Sequence, residues 1–436
     1  MIRRLHFLLG IAAVFTLSAF ASHAAEPVEI EVACFKGGYG IDFFEQCARE
    51  YEAANPGVRI KLWGNPRVWE QLLPRMATDS PPDLCWPGWG LSVWPMIFEG
   101  QLRPLDEYLK QPAFGDTRVW ADTFAPGLLD KGKLNGHYYL FPSNIDSFGL
   151  WYNKKMFREH GWTPPATYEE LLALCAMIKK QGIAPITFTG RYLAYPMVGM
   201  YYPLVVSAEG VPGFNDAQNL VPGAWKRPGF LRAARAIMEL KRLGYFQGGC
   251  IGMNHTESQM EFLVGRAAMI PCGTWLHSEM VNLLPPDFEM GFMRSPRFKD
   301  GVGDPTAMRV ALNGVGWFIP AKSKHPEIAA DFFRFLSSPQ KQKIFVEQKG
   351  ALSPVMGLGE LELPPHLEGP LRAIESAKTT WSEDFGQWYP TFVVVIEQAY
   401  RDMYNEVITP EQFVEALEAG ATKIRDDPNI HKITRD

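Results

Sequence analysis

The chain has 436 residues, 47% of them hydrophobic and 21% charged, with a net charge of -5. An apolar share inside the usual ~45–50% and a charged share a little under ~25% exclude disordered, collagen-like and coiled-coil classes. A mild acidic balance without any basic block also argues against nucleic acid as a partner. The outstanding quantity is large aromatics: 28 Phe, 15 Tyr and 13 Trp.

Residues 1–24 read as an export signal. Arg3 and Arg4 precede an apolar run over 5–20, and Ser22-His23-Ala24 supplies the small-x-small pattern of a cleavage site after Ala24. Removing 24 residues with two arginines and no acid leaves 412, and takes the net charge from -5 to -7. No cysteine lies at the new N-terminus, so the expected product is a periplasmic protein without a lipid anchor. The six cysteines are widely spread and none has CxxC spacing. Cys47 and Cys175, on apolar helix faces, are expected as buried thiols, and Cys250–Cys272 is a candidate bridge.

Alternation over 28–35 predicts a strand that stops at Gly37-Gly38. Phe44, Cys47, Ala48 and Tyr51 then recur at helical spacing over 41–54, ended by Asn55-Pro56-Gly57. A strand over 58–63, a helix over 68–78 and a strand over 83–86 complete a strand–helix–strand–helix–strand unit. Such a unit implies a parallel sheet, with ligands outside the carboxyl ends of its strands. Further along, Thr167-x-x-Glu170 is a capping box, 186–189 a strand, and Thr256-x-x-Gln259 the start of a helix running to Gly265. Strands are expected at 267–270 and 310–319, and helices at 326–336, 339–347, 392–404 and 410–425.

Motifs for chemistry are missing. The nine histidines are scattered without a His-Glu-x-x-His, and no phosphate loop occurs. Gly38-x-Gly40 meets Phe43 where a dinucleotide-binding turn needs glycine, and no Gly-x-Ser-x-Gly elbow exists. The expectation is a protein that is not an enzyme and carries no metal or other cofactor. Aromatics beside turn residues stand out instead: Trp86-Pro87-Gly88-Trp89, Gly190-Arg191-Tyr192 through Tyr195, Gly273-Thr274-Trp275 and Gly386-Gln387-Trp388-Tyr389. An indole face matches the C–H face of a pyranose, and neighbouring polar groups bind its hydroxyls. Trp69, Trp151 and Trp317, inside regular elements, read as core.

Three segments carry a family resemblance. Phe148-Gly-Leu-Trp-Tyr-Asn-Lys-Lys-Met-Phe, Phe262-Leu-Val-Gly-Arg-Ala-Ala-Met with Gly273-Thr-Trp, and Phe332-Phe-Arg-Phe-Leu-Ser-Ser-Pro-Gln-Lys-Gln resemble extracellular solute-binding proteins of carbohydrate ABC transporters. Gly37-Gly-Tyr-Gly, Leu73-Pro-Arg-Met-Ala, Asn254-His-Thr and Pro286-Asp-Phe resemble the branch that takes up N-acetylglucosamine and chitobiose. The resemblance implies an α/β, two-lobed periplasmic binding fold, each lobe a mainly parallel sheet flanked by helices, with the ligand cleft between. It divides the chain into 1–24 as signal, 25–145 with 296–345 as the N-terminal lobe, and 146–295 with 346–436 as the C-terminal lobe. Crossings are expected near 143–145, near 294–297 and just after Glu347.

By position it implies that Trp86 or Trp89 from the first lobe, and Tyr195, Trp275 and Trp388 from the second, stack on a carbohydrate ligand. Tyr39 matches a cleft position, and Asn144, Asp146, Arg191 and Arg309 are its polar partners. Asn144 and Asp146 have turn-stabilising alternatives, and Arg309 has a carboxylate pair as its own. The implied partners are a sugar and the permease subunits of an ABC importer, met by a monomer that closes about a hinge. The rivals are a secreted glycoside hydrolase relying on Asp146, and the same fold binding a polyamine, for which these loops offer one carboxylate.

Overall fold

The computed structural model describes residues 26–434, so the expected signal at 1–24 lies outside the described residues. Chain order begins with β1 (Val28–Phe35), α1 (Asp42–Ala54), β2 (Val58–Asn65), α2 (Val68–Met76) and β3 (Leu84–Trp86). These strands form one parallel sheet in the order β2-β1-β3. Because β1 sits in the middle, the chain turns outward to opposite sides of it, which opens a crevice at its carboxyl end. Gly37–Gly40 and Trp86–Gly90, the loops after β1 and β3, both lie there. The stripe on α1 is buried as its spacing predicts, with Phe44, Cys47, Ala48 and Tyr51 inside. Ile30, Val32, Phe44 and Tyr51 share a core with Trp317, Phe332 and Phe333 from far along the chain. Each such buried side chain contributes about 1.5–3 kcal/mol.

The second sheet comprises β4 (Phe148–Asn153), β5 (Ala184–Ile186), β6 (Ala267–Gly273) and β7 (Met290–Met293). Between them run α3 (Tyr168–Lys180), α4 (Tyr202–Gln218), α5 (Pro228–Arg242), α6 (His255–Leu263) and α7 (Leu276–Met280). The strand order is β7-β4-β6-β5. β5 and β6 pair in parallel and β7 runs the same way, but β4, between β7 and β6, is antiparallel to both, so the expected mainly parallel sheet carries one reversed strand. The reason is topological: β4 arrives directly from the first lobe and not through a helical crossover, so nothing obliges it to run with β6. The remaining helices are α8 (Pro326–Leu336), α9 (Pro339–Lys349), α10 (Pro390–Tyr404) and α11 (Pro410–Asp426).

Capping residues set several boundaries. Thr167 and Glu170 exchange both bonds of a capping box at α3, as do Thr409 and Gln412 at α11. The box on α6 is Asn254 with Glu257, two residues before the expected Thr256 and Gln259. Gln259 lies fully buried inside the helix, where its side chain bonds Glu279. The strand expected at 186–189 instead spans Ala184–Ile186.

The stretch 310–319 is not one strand. Gly314 sits at φ 68°, and a Cβ there would lie 2.4 Å from the Gly88 carbonyl carbon. That kink lets Ala311–Leu312 pair with Ile145–Asp146 while Trp317 and Phe318 bridge to Phe141 and Cys85. The chain also returns to the first core later than 294–297. Tyr168 in α3 donates to the Arg297 carbonyl, and Phe298 donates to Ser207 in α4, both in the second lobe. At the other end, Ala351 and Val355 still pack on the first core, beyond the crossing expected after Glu347.

All six cysteines are buried free thiols. Cys250 and Cys272 do not bridge: Cys250 lies 3.4 Å from the Tyr404 hydroxyl, whereas Cys272 on β6 faces Gln259. No helix among the described residues is long and apolar enough to cross a membrane.

Candidate functional site

The site grows out of the strand between the lobes. Asp146, just ahead of β4, is 3% exposed and meets Arg309, itself paired by Nε to Glu383 at 2.7 Å. Four short strands fix this hub, since Ile145–Asp146 pairs with Ala311–Leu312 and Met308–Arg309 with Thr380–Trp381. Burial pushes the Asp146 carboxyl up to about 6, against the pull of Arg309. Burial opposes the Arg309 charge too, but Glu383 and Asp146 together hold its pKa above the ordinary value. Asp146 and Arg309 are therefore committed to each other and to Glu383, an ion pair with carboxylates deep in the molecule.

The hub supports a ring cluster. The Arg309 guanidinium lies 5.2 Å from the Phe148 ring centre, a cation–π contact. Phe148 meets Trp275 edge-on at 5.2 Å and Tyr195 at 5.7 Å, and those two meet each other at 6.0 Å. Edge-to-face packing holds each ring in one orientation. Gly273 is required here, because a Cβ would fall 2.2 Å from the Trp275 ring. Trp275 is half-buried and touches apolar clusters of both lobes.

Opposite, Tyr39 enters from the loop after β1. It is 5% exposed, and its ring meets Phe345 edge-on at 6.1 Å. Its hydroxyl makes no well-aligned hydrogen bond, although Thr274 of the second lobe faces it. Burial, with Asp146, Cys272 and Glu279 nearby, raises its pKa. Asn144 likewise buries an amide nitrogen that has no protein partner. It lines a narrow pocket with Phe44, Trp86, Ser143 and Trp317. Buried donors normally find acceptors, so Tyr39 and Asn144 mark places where another molecule can complete the bonding.

Two expected stacking residues are core. Trp86 is 2% exposed, stacked on Trp317 at 5.5 Å, with Phe35 and Phe44 edge-on. The end of β3 points it inward because its side chain continues the inward alternation of the strand. Trp388, 4% exposed, is in the core of the second lobe, in the helical turn Phe385–Trp388 that packs on Trp94–Phe98. Trp89 instead is 53% exposed and packs on Trp69 at 4.7 Å. Trp69, expected as core, is thus only half-buried, whereas Trp151 and Trp317 are core as expected. Arg191 is exposed and donates Nε–H to the Gly252 carbonyl at 3.0 Å.

Sequence reasoning missed Phe148, Glu279, Glu383 and His366. Glu279 lies one turn beyond Trp275 and accepts from Gln259 at 2.7 Å. His277, on the same short helix, stacks on His366 at 3.7 Å with planes 6° apart. Burial, reinforced by His277, holds the His366 pKa down at about 3, and burial lowers that of His277 as well. Only helical spacing could have flagged Glu279; the others are brought in from distant segments.

Comparison with known proteins places this geometry in context. The model of the bacterial extracellular solute-binding proteins matches residues 37–343. A diacetylchitobiose binding protein of Streptomyces coelicolor is 25% identical over 339 residues, 77% of this chain and 71% of that protein. A multiple sugar-binding protein of Streptococcus mutans is 21% identical over 373 residues, covering 81% and 82%. Among solved structures, a chitin oligosaccharide binding protein superposes with a TM-score of 0.77 at 21% identity, over 91% of this chain and 98% of its own. The sugar-binding protein of Xanthomonas citri gives 0.72 at 18% identity, over 91% and 98%.

Proposed function

Because the chain belongs to the bacterial extracellular solute-binding protein family, we propose that it is the sugar-capturing component of an ABC importer. Its ligand is N-acetylglucosamine or a chito-oligosaccharide. The observation that carries this reading is the interlocked Phe148–Tyr195–Trp275 cluster, in which Tyr195 and Trp275 are half-buried, together with the Tyr39 hydroxyl, which has no well-aligned partner, and the buried Asn144 amide nitrogen. Rings of fixed orientation suit the flat faces of a sugar, and the free polar groups suit its hydroxyl or acetamido edges. The names of the Streptomyces relative and of the chitin-oligosaccharide binder support that choice of sugar.

In this reading the mature protein works as a periplasmic monomer, freed of residues 1–24, and its two lobes close on the ligand about the crossings around Asp146 and Arg309. Closure requires that the sugar bind the closed form better than the open one, which contacts from both lobes supply. The closed form delivers the ligand to the permease. Micromolar capture needs roughly -8 kcal/mol, within reach of a few stacked rings and several hydrogen bonds. The protein is a binder and not a hydrolase: Asp146, the carboxyl a hydrolase would use, is buried against Arg309.

Intrinsic tryptophan fluorescence titrated with N-acetylglucosamine, chitobiose, cellobiose, maltose and xylobiose tests the reading. A saturable response to the first two is expected. Silence towards every sugar, or hydrolysis of one, would overturn it.

A further inference from the structure

Beyond α11 the chain does not trail into solvent but reaches back to the first lobe. Asp427 sets a tight turn, its carboxylate accepting the Asn429 backbone N–H at 2.8 Å and the Asn429 side-chain amide at 3.0 Å. Further on, Ile433 is 4% exposed and exchanges two bonds with the Tyr389 hydroxyl. Its N–H donates to that oxygen at 2.9 Å, and its carbonyl accepts from the phenol at 3.2 Å. Tyr389 is buried and directly follows the second-lobe turn Phe385–Trp388. Between these two anchors the exposed His431 ring lies flat on Phe98, with ring centres 3.9 Å apart and planes 13° from parallel. Phe98 ends the short helix Trp94–Phe98, and the chain just beyond it is fixed to the first lobe. There Arg103 donates to the carbonyl of Ile319, a residue of the first core, and Gln101 accepts from Ala321.

A short segment past a helix frays unless it is tied down, and here the ties run to both lobes. The seam they span has other contacts between the same elements. Ser92 donates to the Gln387 carbonyl, and the Gln387 amide reaches the Trp89 carbonyl at 3.5 Å. These contacts lie apart from the crossings near Asp146 and Arg309, so they exist only while the lobes are together. The turn at Asp427 and the anchor at Tyr389 hold His431 in place, which leaves little freedom to lose when its ring meets Phe98. We propose that residues 427–434 form a strap that clamps the helix Trp94–Phe98 to the second lobe and slows reopening of the cleft. The tether stands on these contacts alone, whereas its effect on ligand retention rests on the proposed function. A contact made only in the closed form favours every ligand that needs closure, whatever its identity, and does so by slowing release. The strap therefore sets how long a sugar is held, not which sugar is chosen.

Two measurements on the full chain separate the tether from its consequence. Hydrogen exchange without any sugar compares the unaltered protein with His431→Ala. Amides of Trp94–Phe98 on one lobe and of Phe385–Trp388 on the other are expected to exchange at least about threefold faster in the variant. Unchanged rates at either segment overturn the strap. Stopped-flow tryptophan fluorescence then reads release of chitobiose, or of whichever of cellobiose, maltose and xylobiose binds instead. His431→Ala and Phe98→Ala should each speed release at least about threefold, and the double variant no more than the stronger single one, since each removes the same stack. His431→Phe, which keeps a flat ring, should restore the original rate. Unchanged release, or effects that multiply in the double variant, overturn the role in retention and leave the proposed function standing. If no sugar binds the unaltered protein, the proposed function falls, and the exchange comparison still decides the strap. His431 is exposed, so unchanged thermal unfolding of its variants is the expected control.

Discussion

The inner and outer ring groups are built from the same residue types and supported differently. Phe148, Tyr195 and Trp275 interlock edge-to-face above the buried Arg309 hub, while the Trp89 and Tyr192 rings meet neighbouring rings at the surface. The inner group is therefore held in one orientation by its packing, whereas the outer pair lies open to solvent on one side. Preorganisation lowers the ordering cost of binding, whereas exposed rings retain rotamer freedom and give it up on contact.

The largest effect that tests this contrast is on the hub. Arg309→Met should destabilise the fold by about 3–5 kcal/mol, because it leaves Asp146 and Glu383 buried without their cation. Denaturant unfolding measures it, and a loss under about 1 kcal/mol would mean the inner rings do not depend on the hub.

The next effect depends on pH, through the helix that carries Trp275. His366 has a folded pKa of about 3, below the ordinary 6.5. Between those values the unfolded chain takes up a proton that the folded one refuses, so stability falls as pH drops through this window. The loss from this residue is roughly 3 kcal/mol between pH 6.5 and 4. Comparing unfolding at those two pH values in the native chain and in His366→Phe isolates it; identical slopes would remove the histidine pair from the account. Asp146 acts in the opposite sense, since its raised pKa favours the fold as pH falls below about 6.

Trp275→Ala should weaken binding of the responding sugar by tenfold or more, about 1.4 kcal/mol. An unchanged dissociation constant would take Trp275 out of the site. Smallest of all, Trp89→Ala should alter stability by less than about 0.5 kcal/mol, as for an exposed side chain with few neighbours. Its neighbour three residues back makes the comparison sharp: Trp86→Ala should cost about 3–5 kcal/mol as a fully buried indole. Equal losses at the two positions would dissolve the distinction between core and mouth.

Much of the local structure was legible from residue order. The helical stripe of α1, the capping boxes of α3 and α11 and the βαβαβ start depend on spacings of two to four residues, and those the sequence displays directly. Loops holding aromatics beside glycine were legible as well, and Trp275, Tyr195 and Trp89 came from that signal. Which indole of Trp86 and Trp89 faces inward was not, because it depends on Trp317, more than 200 residues away, closing over one of them. The reversed direction of β4 was equally hidden, being set by where the chain re-enters the second lobe.

The sequence by itself determined the class of the molecule: an α/β chain with a leader-like start, no motif for catalysis, and aromatics concentrated at the ends of strands. Tertiary structure alone decided that Arg309 serves Asp146 and Glu383, that Trp86 and Trp388 are core, and that Trp89 meets Tyr192 across the lobes. The reason is range. Period and capping act within a turn or two of chain, whereas a buried charge or a ring pair is defined by partners that only folding brings together.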